Sequence, residues 1–316
     1  MPHITFIHGL ANKPAADSLH RIWLRALEDG GNGLHLGNEG VNSSMLYWAD
    51  VLYEKPDENE ADYESTLEST AEQVDAGGEG ELPPVGSRTE AEARFIEAMF
   101  YRFTNASEAQ WEAEQAANSS GAAAVGLERI PLPWFLKKRI MKALLRDAHA
   151  FYFNIEHSPR AGTTWKVRDE IRRRTIAELS IPRSRPHIVV AHSMGTMIAY
   201  DALKRIVDCP GIDGLMTIGS PLGIDEVQDC NKPEWSRDNG YPFEKIGSGR
   251  WINVYDTLDV VCGGDPRFAN DFKQEGKIRI EDISVTNDGA WRHSIVKYLR
   301  QKELQNALRS LLGREA

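Results

Sequence analysis

Several classes of protein are excluded by what this chain lacks. It has three cysteines in 316 residues, Cys209, Cys230 and Cys262, which make no disulfide framework. No uninterrupted apolar run approaches the roughly 20 residues that a membrane-spanning helix needs. The N-terminus runs directly into a core-type strand, with no basic n-region and no apolar h-region. No signal peptide is therefore expected, and the expected location is the cytoplasm. An exported mature chain whose signal has been removed fits the same N-terminus. Basic residues are outnumbered, 37 Lys and Arg against 47 Asp and Glu, for a formal net charge of −10. A nucleic-acid partner is therefore not expected. No cluster of His, Cys, Asp and Glu has metal-ligand spacing, so neither a metal nor a cofactor is expected.

The most informative run present is His187-Ile188-Val189-Val190-Ala191-His192-Ser193-Met194-Gly195-Thr196. A short apolar strand ends in Ala-His-Ser-Met-Gly, and a helical pattern begins at once. This is the layout of a nucleophile elbow, in which a serine on a tight strand-to-helix turn is pushed out above the sheet. Small residues two before and two after the serine let strand and helix approach closely. The helix N-terminus behind Ser193 favours negative charge, so it suits a developing oxyanion.

The other parts of such a site follow in the chain. Residues 2–10 read Pro-His-Ile-Thr-Phe-Ile-His-Gly-Leu, a strand running into a His-Gly turn. The backbone amides of Leu10 and Met194 are the expected oxyanion donors. His8 is expected to shape this loop rather than to transfer protons. A strand at 251–255 precedes Asp256-Thr257-Leu258-Asp259-Val260-Val261. Asp259 is the preferred acid, because it stands just before a small apolar pair. Asp256 is the alternative acid, with capping of the turn as its other role. Asp225 is a further alternative, after the preceding strand. His293 follows the strand at 278–285 and opens the final helix, where a general base is expected. His8, Gly9, His192 and Leu222 are the expected lining of a substrate pocket, with His192 at its entrance. His3 and His187 start strands and read as structural; His20 lies on the first helix; His149 and His157 lie in or beside an insertion.

The chain order Ser193, Asp259, His293 resembles that of the α/β-hydrolase family, in its serine esterase and lipase branch. The resemblance covers about the first fifty residues and everything after about Thr164. The run Gly219-Ser220-Pro221-Leu222-Gly223 also looks like a lipase-type loop. One position departs from the family motif: Ala191 stands where glycine is usual, although some lipases carry alanine there. The resemblance implies a doubly wound, mostly parallel α/β sheet lacking the first two strands of the fuller family fold. It also implies acyl-enzyme cleavage of a carboxylic ester with a hydrophobic or capped substrate. Lipid esters, thioesters and amides use the same machinery, including at a membrane surface. The second class is a ligand receptor of the same fold with little turnover.

Residues 1–53 and 164–316 are the expected core, and 54–163 an inserted cap or lid. Core elements are expected as strands at 3–7, 45–48, 187–192, 214–218, 251–255 and 278–285. Helices are expected from Asp17 (a cap) to Leu27, Trp165 to Leu179, Met194 to Val207 and Ser294 to Leu312, with Gly30-Gly31 ending the first. In the insertion, 54–81 is acidic and reads as a solvated loop. Residues 89–117 have helical spacing, with Phe95, Met99 and Phe103 on one side, and Ser119-Ser120-Gly121 ends the pattern. Residues 133–153 mix Trp134, Phe135, Leu136, Ile140, Met141, Leu144 and Leu145 with Lys137, Lys138, Arg139, Lys142 and Arg146. The functional reading is a cap with an apolar acyl pocket and weak membrane-surface contact. The plainer reading is a helix packed on the core with its basic residues in water. Nothing in the sequence requires a second copy of the chain.

Overall fold

The structure, a computed structural model, describes residues 1–29, 33–58, 89–119, 145–247, 249–262, 264–289 and 291–314. Six strands form one sheet: β1 (His3–Ile7), β2 (Asn42–Leu46), β5 (His187–His192), β6 (Gly214–Ile218), β7 (Arg250–Tyr255) and β8 (Ile280–Ser284). Their order is β2-β1-β5-β6-β7-β8, and every pairing is parallel.

Alternation along each strand explains the layering. Ile4 and Phe6 on β1, Ile188 and Val190 on β5, and Ile252 and Val254 on β7 point to one face. There they meet Leu19, Trp23 and Leu27 of α1 (Ala16–Glu28). Beyond a short α7 (Phe243–Ile246), Tyr298 of α8 (Ile295–Arg300) and Leu304 and Leu308 of α9 (Lys302–Leu311) complete this layer. The intervening residues Ile7, Val189, Ala191, Leu215 and Trp251 face the other side. That face is covered by α4 (Val167–Leu179) and α5 (Met194–Arg205). A parallel sheet needs both faces covered, and these strands are apolar on both.

The strand order also locates the site. The chain leaves β1 toward β2, then returns to β5 on the other flank of β1. The strand order thus reverses at the carboxyl ends of β1 and β5, the place where open α/β sheets commonly bind ligands. The register Ile7↔Ala191 sets the His8-Gly9 turn beside His192-Ser193.

Within the expected insertion, α2 spans Glu90–Ser119 and a further helix, α3, covers 145–152. Thr89 and Glu92 form a reciprocal capping box that starts α2: the Thr89 amide donates to Glu92 Oε2 (2.6 Å) and the Glu92 amide to Thr89 Oγ1 (3.3 Å). Phe95, Met99 and Phe103 are buried as their spacing predicts. α2 packs against Val260–Cys262 and against α6 (Asp225–Cys230), where Arg102 pairs with Asp225 and Glu226. A hairpin of β3 (Glu156–Arg160) and β4 (Thr163–Lys166) straddles the expected boundary at 163/164. Trp165 is therefore a strand residue, and the helix expected from it begins at Val167. Asp17 does not cap α1; the N-cap residue is Ala15, and Asp17 lies in the first turn. The single final helix is two, parted at Gln301, whose backbone is extended. The second strand lies at Asn42–Leu46, three residues earlier at its start than expected. Most of the acidic loop, Gly30-Gly31, Ser120-Gly121 and the basic stretch with Lys137, Lys138, Arg139 and Lys142 lie outside the described residues. Among those described, no helix is long and apolar enough to cross a membrane.

Candidate active site

Ser193 sits between β5 and α5 with φ 54° and ψ −128°, a backbone conformation that L-residues rarely adopt. Its amide donates to the Ile218 carbonyl (2.9 Å), extending the β5–β6 ladder by one residue. Its carbonyl accepts from the Thr196 amide (2.9 Å) and the Thr196 hydroxyl (2.7 Å). The Thr196 proton is thereby used, so the Ser220 hydroxyl donates to Thr196 Oγ1 (2.8 Å). This ties the elbow to the Gly219-Ser220-Pro221 loop.

Close approach here depends on two glycines. A Cβ on Gly195 would lie 2.5 Å from the Ile7 carbonyl oxygen and 2.6 Å from that of His8. A Cβ on Gly9 would lie 2.6 Å from Ser193 Cβ. The His-Gly turn and the serine turn are thus in direct contact.

His293 precedes the Ser294 cap of α8. Its Nδ1 lies 2.7 Å from Asp259 Oδ2. Facing a carboxylate, Nδ1 carries the proton and donates, which leaves Nε2 as an acceptor. That Nε2 is buried with no hydrogen-bond partner, and so is Ser193 Oγ. Ser193 is 0% and His293 3% exposed, so both groups are shielded from bulk water. Asp259 is fully engaged: Oδ1 accepts the Val261 amide (2.9 Å), and Oδ2 also accepts the Tyr298 hydroxyl (2.9 Å). Burial, reinforced by the negative charge of Asp259, raises Tyr298 well above the ordinary phenol range, so it stays a donor. Gly219 lies against this pair; a Cβ there would meet Asp259 Oδ2 at 2.9 Å and His293 Nδ1 at 3.1 Å.

No protein-family model matches this chain, and no curated protein matches it either.

Asp256, the alternative acid, does other work. Its Oδ1 accepts the Leu258 amide (2.8 Å), capping the turn, and its Oδ2 accepts the Asn287 amide (2.7 Å) and Arg292 Nη1 (3.2 Å). Arg292 also donates to the Asn287 carbonyl, and Asn287 Nδ2 to the Arg292 carbonyl, each at 2.6 Å. Asp256 thus braces the loop that carries His293 and has no described bond to the imidazole. Asp225 lies on the surface, paired with Arg102 (2.9 Å).

In the His8-Gly9 turn, the Trp48 amide donates to His8 Nε2 (3.0 Å), so Nδ1 carries the proton and donates to the Gly9 carbonyl (2.9 Å). Burial, with Lys13 nearby, lowers the His8 pKa to about 3, so the ring stays neutral. The ring stacks on Trp48 at 4.7 Å between centroids. A trans peptide sets its C=O and N–H in opposite directions, so pinning the Gly9 oxygen also orients the Leu10 N–H. Met194 heads α5, where the first amides have no carbonyl partner within the helix.

One pocket expectation needs correction. His192 does not stand at an entrance: its ring is buried beside Trp23, His293 and Tyr298, and Nε2 donates to the His293 carbonyl (3.0 Å). Strand alternation causes this, since His192 follows Ile188 and Val190 onto the α1 face. Burial, with His293 beside it, pushes its pKa well below the usual imidazole range. Leu222 is wholly buried in the core, its amide held by Ser220 Oγ (3.2 Å). His157 is structural, its Nε2 donating to the Leu52 carbonyl (3.0 Å). Tyr298, Arg292 and Asn287 were not singled out from the sequence; an aromatic on the buried side of α8, one turn past His293, was the available signal. Among the described residues, no group of three or more His, Cys, Asp or Glu side chains is placed to hold a metal ion.

Proposed function

We propose that the protein is a serine hydrolase of the α/β-hydrolase type that cleaves a carboxylic ester with an apolar acyl group. One observation carries the reading. Ser193 Oγ and His293 Nε2 are both buried and unpartnered, while His293 Nδ1 is fixed on Asp259. A buried polar atom without a partner costs about 1–3 kcal/mol, so a serine hydroxyl and an imidazole nitrogen left in that state call for a functional explanation, and a substrate would supply it.

In this mechanism His293 Nε2 takes the proton of Ser193 as Oγ attacks the ester carbonyl. Asp259 holds the imidazole and stabilises its charged form. The Leu10 and Met194 amides stabilise the oxyanion, each worth roughly 3 kcal/mol. His293 then protonates the leaving alcohol and activates the water that cleaves the acyl-enzyme.

An apolar acyl group is favoured by the surroundings. Phe95, Met99 and Phe103 of α2 and Leu145 and Phe151 of α3 share one core cluster with Leu10, Met194 and Val261. Free Cys209, Cys230 and Cys262 fit a reducing compartment, and we extend the proposal to a cytoplasmic location.

The test is hydrolysis of p-nitrophenyl esters from acetate to palmitate. We expect turnover, with kcat/KM rising up to about fourfold for each added methylene that is buried. Folded protein that cleaves none of the series would contradict the proposal.

A further inference from the structure

The loop after β1 contains a residue whose conformation is held from outside the core. Ala11 has φ 67°, in the left-handed region that favours glycine. A non-glycine residue persists there only when its surroundings over-determine it. Here the determinants are two buried charges on one peptide. The Ala11 amide donates to Asp147 Oδ2 at 2.8 Å. The carbonyl at the other end of that peptide, Leu10 C=O, accepts from Lys13 Nζ. Bonds to both ends of a planar unit fix its rotation.

Asp147 is 0% exposed and lies on α3, within the inserted segment, 136 residues from Ala11. Its charge is compensated by Arg146, whose Nε and Nη2 lie 3.0 and 2.8 Å from Oδ1. The Tyr53 hydroxyl donates to Oδ2 (3.0 Å). Arg146 in turn lies over the Tyr53 ring, 4.5 Å from its centroid. Lys13 is likewise buried. Desolvating a carboxylate and an ammonium is costly, and docking a helix needs neither. Both charges converge on the peptide that follows the Leu10 amide.

We infer that Asp147 and Lys13 are positioning residues for the Ser193 reaction, clamping the Leu10–Ala11 peptide so that the Leu10 N–H is held toward the oxyanion. The inference rests on the hydrolase reading above. It makes the inserted segment part of the catalytic apparatus: with α3 docked, the oxyanion loop is set.

The test compares wild type with Asp147→Ala, Asp147→Asn and Lys13→Met in the full chain. It reads kcat and KM on a p-nitrophenyl ester, the rate and final stoichiometry of fluorophosphonate labelling, and hydrogen exchange over residues 9–12. For Asp147→Ala we expect kcat to fall by about 10- to 100-fold with KM nearly unchanged. Labelling should still reach full stoichiometry, at a rate lowered in parallel, and residues 9–12 should exchange faster. Asp147→Asn keeps an oxygen acceptor for the Ala11 amide and should recover most of the rate. Lys13→Met should lower kcat about tenfold; with Asp147→Asn it carries the test if Asp147→Ala does not fold. Unchanged kcat, or a loss matched by fewer labelled molecules, would overturn the clamp in favour of simple docking. Wild type that labels while Asp147→Ala keeps its kcat refutes the clamp alone. Wild type that neither labels nor turns over refutes the hydrolase reading and the clamp with it.

Discussion

Ser193→Ala is expected to lower ester turnover by about four orders of magnitude or more while leaving the protein slightly more stable. The first effect follows from removal of the attacking atom. The second follows from burial. Ser193 Oγ has no hydrogen-bond partner, and a buried unsatisfied hydroxyl costs about 1–3 kcal/mol relative to an apolar group of similar size. Alanine keeps the same positive-φ backbone, so the strain at that turn is unchanged. The gain of about 1 kcal/mol should appear as a rise of about 1–2 °C in Tm by calorimetry. A surface serine would show neither effect. A variant that loses activity and also loses stability would mean that the hydroxyl is structural.

The two neighbouring carboxylates are expected to fail in opposite ways. Asp259 Oδ2 accepts both the His293 Nδ1 proton and the Tyr298 hydroxyl proton. In Asp259→Asn a side-chain amide must face one or both of these donors. The imidazole then moves its proton to Nε2, and the base is lost. We expect kcat to drop by roughly 10⁴-fold. Asp256→Asn instead leaves the Arg292 guanidinium, buried beside it, without a counter-charge. Breaking a buried ion pair from one side costs about 3–5 kcal/mol, so the main loss should be in the urea midpoint. Some kcat is lost too, because Asp256 braces the 287–293 loop. If Asp256→Asn proves the more damaging to kcat in folded protein, the assignment of Asp259 as the acid is wrong.

Features that depend on local order were legible in the sequence. The strand-turn-helix around Ser193 is encoded by apolar β-branched residues followed at once by small ones. Alternation on β1, β5 and β7 announced a sheet buried on both faces. Asp259 and His293 could be proposed because each lies in the loop that follows a strand, Asp259 after β7 (Arg250–Tyr255) and His293 after β8 (Ile280–Ser284). Features made by distant packing were not legible. Asp147 reaches Ala11 across 136 residues, and nothing near either residue signals the bond. Tyr298 joins Asp256 and Asp259 from a helix whose apolar spacing looks like ordinary core. His192 was expected at an entrance because its place in the elbow is variable in type, yet strand alternation turns it inward. The β3–β4 hairpin was hidden by a mixed polar composition that reads equally well as helix or loop. The break at Gln301 carries no glycine or proline to mark it.

The hydrolase proposal rests on Ser193 as a nucleophile activated by His293. The most direct measurement is peptide mapping by mass spectrometry after folded wild-type protein meets a fluorophosphonate. One adduct is expected, on Ser193. An adduct on another residue, or none on folded protein, would contradict the proposal.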